Sequence, residues 1–346
     1  MPQMSTAKTG KSTRTTGRPT LNEVARQAGV SPITASRALR GIPTVAEDLV
    51  QKVREAASKL GYVANPAARA LASSHSQTIA VIVPSLTNQL FVETLEAIHG
   101  VMRSRGLEVL IGNSHYSRDE EEDLIRNYLA YQPRGMLLTG FERTESARRL
   151  LDSSGIPCVY MMDIDPGAGL HCVGFSQIQA GTCAAEHLIA RGRRRLAFVG
   201  AQLDQRTLLR GEGFRRVLQR AGLYDPTLEV LTPRQSTVGL GCELFARLVA
   251  EHPDLDGIFF GNDDLAQGAL LEAMRLGIRI PERMSVLGFN DLQASAFSVP
   301  RLSSIRTPRE AIGRRSAEML LTLMAGQTPA EQVHDLGFEL MLREST

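Results

Sequence analysis

Residues 20–41 read TLNEVARQAGVSPITASRALRG, and their caps and apolar spacing leave little freedom. Thr20 and Glu23 stand at the spacing of a capping box, in which each side chain accepts a backbone amide hydrogen of the other residue. Leu21, Val24, Ala25 and Ala28 then share one helical face, and Gly29 supplies the left-handed residue that ends such a helix without strain. Ser31 is placed to cap a second helix, with Pro32 at its first position, where a missing amide hydrogen costs nothing. Ala35, Ala38 and Leu39 point inward, which leaves Pro32, Ile33, Thr34, Ser36 and Arg37 outward. Thr44 and Glu47 repeat the box spacing ahead of AEDLVQKVREAASKLGY, so a third helix closes a compact head. Two short helices about a glycine turn, with the second exposed, make a helix-turn-helix, whose second helix enters the major groove of DNA.

Charge divides the chain into unlike parts. Residues 1–75 hold 11 Lys and Arg against 4 Asp and Glu, while the remainder holds 28 against 33, so a net charge of +2 conceals a basic head on an acidic body. A basic head is drawn to phosphate, and its affinity falls steeply with salt. Residues 1–17 carry Lys8, Lys11 and Arg14, no acid and many Ser, Thr and Gly, the composition of a disordered basic arm.

With 346 residues and 43% hydrophobic content, the chain can build a small head and two domains of ordinary size. It has no apolar run of membrane-spanning length, and its start lacks the apolar segment of a signal peptide. A cytoplasmic, nucleoid-associated protein without a membrane partner is therefore expected. Cys158, Cys172, Cys183 and Cys242 lack CxxC spacing and the seven His are scattered, so reduced thiols and no metal or cofactor are expected.

Beyond residue 78, buried strands alternate with amphipathic helices. Strands are expected at 79–84, 107–113, 135–140 and 157–163, then at 195–201, 228–232, 257–263 and 284–290. Helices are expected near 91–105, 119–132, 145–154, 178–191, 208–221, 238–251 and 265–276. Two βαβ series of similar length imply two doubly wound parallel-sheet subdomains, whose ligands bind outside the carboxyl ends of the strands, facing each other across a cleft. A nucleotide-dependent dehydrogenase would need a glycine-rich turn after its first strand. Here that turn reads PSLTNQ from Pro84, and GLG at 239–241 lacks the third glycine, so no enzyme is expected.

From about residue 18 onward the chain resembles the lactose-repressor (LacI) family of bacterial transcription regulators. The resemblance is carried by TLNEVARQAGVS at the head, LGYVANPAARALAS after it, IAVIVPSLTNQLF opening the core, GNDDLAQGAL, and SVLGFN followed by PRLSSIRTP. Within the family, PSLTNQLF, AQLDQRT, NDDLAQGA and the terminal LGFEL are most similar to the gluconate-utilisation repressor branch. The resemblance implies a small all-α helix-turn-helix head on an α/β periplasmic-binding-protein-like core, and a homodimer on a palindromic operator. No leucine heptad follows ELMLREST, so a dimer rather than a tetramer is expected. The expected division is an arm at 1–17, the head at 18–63, a hinge helix and linker at 64–77, and a core at 78–346. Within the core, 78–175 with 309–335 form one subdomain and 176–304 the other.

Asn65 and Pro66 are a cap and first-position pair before AARALA. A helix this short is unstable alone, so it is expected to form only on DNA beside its partner's copy. By resemblance, Asn65, Ala68 and Leu71 contact the minor groove, Leu71 as a wedge that kinks the duplex. Arg37 resembles the family's guanine-reading arginine. Pro32 and Ile33 occupy the variable positions, where neither makes a bidentate base contact, and Thr20, Ser31, Thr34 and Ser36 are expected at phosphates.

The family's cleft positions fall on Asn88, Gln89, Phe91, Arg210, Asn262 and Asn290, with Arg206, Met162 and Asp163 as neighbours. Relatives usually carry Asp at the position of Asn290 and often at that of Ser176, so this cleft is expected to be more positive and to suit a carboxylate on its arginines. The expected effector is gluconate or a related sugar acid, whose binding releases a repressor of sugar-acid utilisation genes from its operator. The alternatives are 2-ketogluconate, 6-phosphogluconate, a neutral sugar, or a sugar-binding protein without a DNA function.

Overall fold

The computed structural model describes residues 19–63 and 76–346, and the chain divides into two compact units, Met1–Ser76 and Gln77–Thr346. In the first unit, α1 (Leu21–Ala28), α2 (Pro32–Leu39) and α3 (Glu47–Leu60) enclose Val24, Ala25, Ala35, Ala38, Val53, Ala56 and Ala57. The Thr20–Glu23 capping box is formed, Gly29 ends α1 at φ 68°, and Ser31 accepts the Thr34 amide at 3.1 Å. The second box is not formed. Because α3 begins at Glu47 itself, Ala46 occupies the cap position without a side-chain hydrogen bond. Thr44 lies too early in the chain to cap it, and Glu47 and Asp48 instead favour the helix start through its dipole.

The second unit holds two six-stranded sheets. The first consists of β1 (Thr78–Val83), β2 (Glu108–Asn113), β3 (Met136–Thr139), β4 (Cys158–Met161), β5 (Cys172–Gly174) and β11 (Val333–Asp335), in the order β11-β5-β4-β3-β1-β2 and all parallel. Its helices are α4 (Leu90–Ser104), α5 (Arg118–Ala130), α6 (Glu145–Ser154) and α11 (Arg309–Met324). The second sheet consists of β6 (Leu196–Ala201), β7 (Glu229–Thr232), β8 (Gly257–Phe260), β9 (Ser285–Asn290), β10 (Ser303–Arg306) and β12 (Glu339–Met341), in the order β12-β10-β9-β8-β6-β7. Its helices are α7 (Gln177–Ala190), α8 (Gln205–Arg220), α9 (Val238–Glu251) and α10 (Asp263–Arg275). β12 runs antiparallel to β10 at the sheet edge, a common departure in otherwise parallel sheets.

The chain passes between the lobes after β5, after β10 and between β11 and β12, so three connections form the hinge. The strands β5, β10, β11 and β12 are three or four residues long, too short for an apolar run to reveal. The central strands β1, β6 and β9 are buried on both faces, as parallel sheets require, and in β1 every residue after Thr78 is buried, whereas β2 at the sheet edge stays largely half-buried or exposed. One apolar cluster continues from lobe to lobe, where Phe175 and Phe289 stand 6.1 Å apart. The four cysteines are free thiols, and burial pushes Cys158 up to about 12, which keeps it inert. Among the described residues no helix is long and apolar enough to cross a membrane.

Helices α7 and α8 meet backbone to backbone. A Cβ at Gly181 would lie 1.9 Å from the Arg210 carbonyl oxygen, and one at Gly213 would lie 2.1 Å from that of Ile178. The pair of glycines therefore sets the height of α8, and of Arg210 on it, against the hinge. Gly213→Ala is expected to lower stability by about 1–3 kcal/mol through overpacking, read as a lower urea midpoint; an unchanged midpoint would show that the helices part freely.

Candidate functional site

The carboxyl ends of both sets of strands open on one cleft, the place where sheets of this kind take their ligands. Its walls come from the loop after β1 (Asn88), the loop after β2 (Tyr116), the end of β4 (Met162), the end of β6 (Ala201, Gln202), the start of α10 (Asn262) and the end of β9 (Asn290). Backbone strain gathers at the same ends. Tyr116, Met162, Gln202 and Asn290 all have positive φ, 103° in the case of Asn290, and such residues cluster where geometry serves a ligand.

Arg210 is the centre of the site. It is 7% exposed, its guanidinium carbon lies 4.1 Å above the Phe289 ring, and its two terminal nitrogens donate to Gln177 Oε1 at 2.6 Å and Thr207 Oγ1 at 2.9 Å. Burial lowers its pKa to about 10, so it stays charged at neutral pH with neutral hydrogen-bond partners. Arg206, one turn earlier, is paired with Asp204 at 3.1 Å. Three buried side-chain atoms here have no hydrogen-bond partner: Nε of Arg210, Oδ1 of Asn290 and Oγ1 of Thr307. Each orphan costs about 1–3 kcal/mol, and together they ask for a ligand that both accepts and donates.

Of the positions expected at the cleft, Asn88, Met162, Arg206, Arg210, Asn262 and Asn290 line this cavity. Asn262 arrives already engaged, since its Oδ1 caps α10 through the Leu265 amide and its Nδ2 meets Ser236 Oγ at 2.7 Å. Gln89 is exposed, and Phe91 is buried in the apolar core. Asp163 lines an adjoining recess with Tyr116, Asp204 and Arg206. Ser176 caps α7 through the Gln179 amide at 3.2 Å, between Phe175 and Gln177 of the cavity wall. Asp204, absent from the positions expected at the cleft, bears on the cavity directly: it pairs with Arg206, while Arg210 feels Asp204 and Asp163 only through space and makes its hydrogen bonds to neutral groups.

Gln177, Thr207, Phe289 and Thr307 also line the cavity without having been anticipated. Thr207 stands three residues before Arg210, a spacing that places both on one helix face. Asp204 carries the signature of a helix cap, and it accepts the Thr207 amide at 2.9 Å, which starts α8 three residues before the expected boundary. Nothing local marks Gln177 or Thr307.

On the head, Pro32, Ile33 and Arg37 are exposed, Ile33 at 66%. Thr34 and Ser36 are half-buried, and the Ser31 and Thr34 hydroxyls lie 2.9 Å apart. Thr20 Oγ1 donates to Glu23 Oε2 at 3.1 Å, so a phosphate there would meet an engaged hydroxyl beside a carboxylate. Asn65, Ala68 and Leu71 lie outside the described residues.

Residues 20–65 match the signature of bacterial regulatory proteins of the lacI family, and residues 185–346 that of a periplasmic binding protein-like domain. The chain is 74% identical to the HTH-type transcriptional regulator GntR of Pseudomonas aeruginosa over 99% of this chain and 100% of that protein. It is 36% identical to the regulator of the same name in Escherichia coli K12, over 93% and 97% of the two chains. The crystal structure of transcription regulator GntR from Chromobacterium violaceum superposes with a TM-score of 0.76 at 46% identity, covering 78% of this chain and 98% of that one.

Asp163 generates a pH prediction. It is 5% exposed, and burial pushes its pKa up to about 6 against the pull of the Ile164 amide, Arg206 and Arg210. Its pKa in the folded chain thus lies above the unfolded value, so between about pH 4 and 6 the folded chain holds the extra proton. The contribution of Asp163 is most favourable below about pH 4 and is lost as pH rises through about 6. Asp163→Asn is expected to gain on the order of 1–3 kcal/mol at pH 7 and nothing near pH 4. Denaturant unfolding of both proteins across that range checks it, and an equal gain at both ends would count against the assignment.

Proposed function

Because the chain belongs to the lacI family of bacterial regulatory proteins, we propose that it represses sugar-acid utilisation genes and leaves its operator when gluconate or a related sugar acid fills the cleft. As a regulator of this family it binds operator DNA and a small-molecule effector as a dimer. The reading carries with it action in the cytoplasm without catalysis, a basic arm at 1–17, and a hinge at 64–77 whose Leu71 wedges the minor groove.

The observation that supports a sugar acid is the set of orphaned atoms around Arg210. A carboxylate supplies an acceptor for the free Nε of a guanidinium whose other hydrogen bonds go to neutral groups. Hydroxyls on the same ligand donate to Asn290 Oδ1 and meet Thr307 Oγ1. The direct pairing of Arg206 with Asp204 leaves Arg210 without an ion-pair partner of its own, which suits a single carboxylate placed against it. By linkage, effector and operator weaken each other's binding by the same factor.

Calorimetric titration with gluconate, other sugar acids and neutral sugars tests the reading. Gluconate is expected to bind and glucose not to, and binding confined to neutral sugars would overturn it. Arg210→Met is expected to cost about 1.5–3 kcal/mol of gluconate affinity while operator binding persists; a normal response in that variant would remove Arg210 from the site.

At the head, Arg37→Ala is expected to cost about 1–3 kcal/mol at the operator and to relax base preference. Equal and undiminished binding of that variant to operator and random duplex would refute the role.

A further inference from the structure

The crossing from β10 to α11 ends at Arg309, the first residue of α11, which is 7% exposed although charged. Its backbone carbonyl accepts the Thr94 hydroxyl of α4 at 3.0 Å, and Nη2 donates to Glu93 on the same helix at 2.9 Å. The two helices touch nearby, since a Cβ at Gly313 would lie 2.3 Å from the Thr94 carbonyl oxygen. Arg309 therefore moves with α4, the helix that begins beside Asn88 of the cleft.

The guanidinium reaches the other lobe as well. Nη1 donates to the carbonyl of Asn290, and Nη2 lies 3.5 Å from that of Asp291. This strand end is firmly held within its own lobe. The Leu292 amide and the Ser295 and Ser304 hydroxyls donate to the buried carboxylate of Asp263, and the Asp291 carboxylate pairs with Arg306 and Arg343. Asn290 thus offers one polar group to each side: its side-chain Oδ1 is an orphan in the cavity, and its main-chain oxygen is the acceptor for Arg309.

We propose that Arg309 is a positioning residue that couples occupancy of the cleft to the orientation of the first lobe, through the Asn290 peptide on one side and Glu93 on the other. A ligand that engages the Asn290 side chain turns the same residue's peptide, which is held at φ 103°. The carbonyl then shifts against a buried guanidinium that cannot give up its acceptor without a desolvation penalty. The displacement passes through Arg309 to α4. This inference rests on the effector reading above.

The test measures the ratio of operator affinity without and with saturating gluconate, on a duplex selected by the full-length protein from random-sequence DNA, for wild type, Arg309→Met, Arg309→Lys and Glu93→Gln. Couplings of this kind are commonly about 5- to 150-fold. Arg309→Met is expected to bring the ratio close to one while gluconate still binds the free protein, whereas Arg309→Lys and the mostly exposed Glu93→Gln lower it part of the way. If Arg309→Met does not fold, the other two variants carry the test. Wild-type ratios in folded Arg309→Lys and Glu93→Gln would overturn the proposal. If gluconate leaves wild-type protein on DNA, the sugar-acid reading fails, and the latch is judged without ligand: Arg309→Lys is then expected to change operator affinity by about threefold or more, and no change would overturn it.

Discussion

A guanidinium removed from water is stable only if its donors are met and its charge has a partner. At Arg210 the first condition is largely satisfied by Gln177 and Thr207 and by the face of Phe289, while the second is met only at a distance, by Asp204 and Asp163. The rest of the site follows from that imbalance. Gln177 begins α7, Thr207 and Arg210 lie on α8, and the glycine contact between these helices fixes their relative height. Phe289 belongs to the continuous apolar cluster that runs between the lobes. The cation is thus built into the hinge rather than hung on a surface loop.

Around this centre the molecule concentrates its irregularities. Tyr116, Met162, Gln202 and Asn290, all with positive φ, and the unsatisfied atoms of Asn290 and Thr307 sit at or just beyond the carboxyl ends of strands, while the central strands β1 and β6 are regular and buried. Rigid sheets and adaptable ends suit a two-lobe device, because only the ends need to change when a ligand arrives. The three hinge connections and the Glu93–Arg309–Asn290 chain give that change a defined route.

The head differs in kind. Its small core consists mainly of alanines and valines, so its stability owes much to local devices: a capping box, a serine cap with a following proline, and a glycine in the left-handed region. Each of these is a relation between residues a few positions apart, and each was legible from residue types alone. Where the local signal misled, at Thr44 and Glu47, the helix starts at Glu47 itself and Ala46 takes the cap position.

The same division holds for the whole chain. The sequence by itself determined the helix-turn-helix and the two βαβ series, because periodicity and caps act over short stretches, and its family resemblance pointed to six of the cavity's residues. It did not determine Asp204 as the partner of Arg206, Gln177 and Thr307 as walls, the demotion of Gln89 and Phe91, or the latch at Arg309. Those depend on which strand ends meet when the chain crosses the hinge, and residues some two hundred positions apart, such as Glu93 and Arg309, are joined only by the packing of helices on the sheets. The tertiary structure alone decided them, since a buried charge finds its partner by position in space and not by distance along the chain.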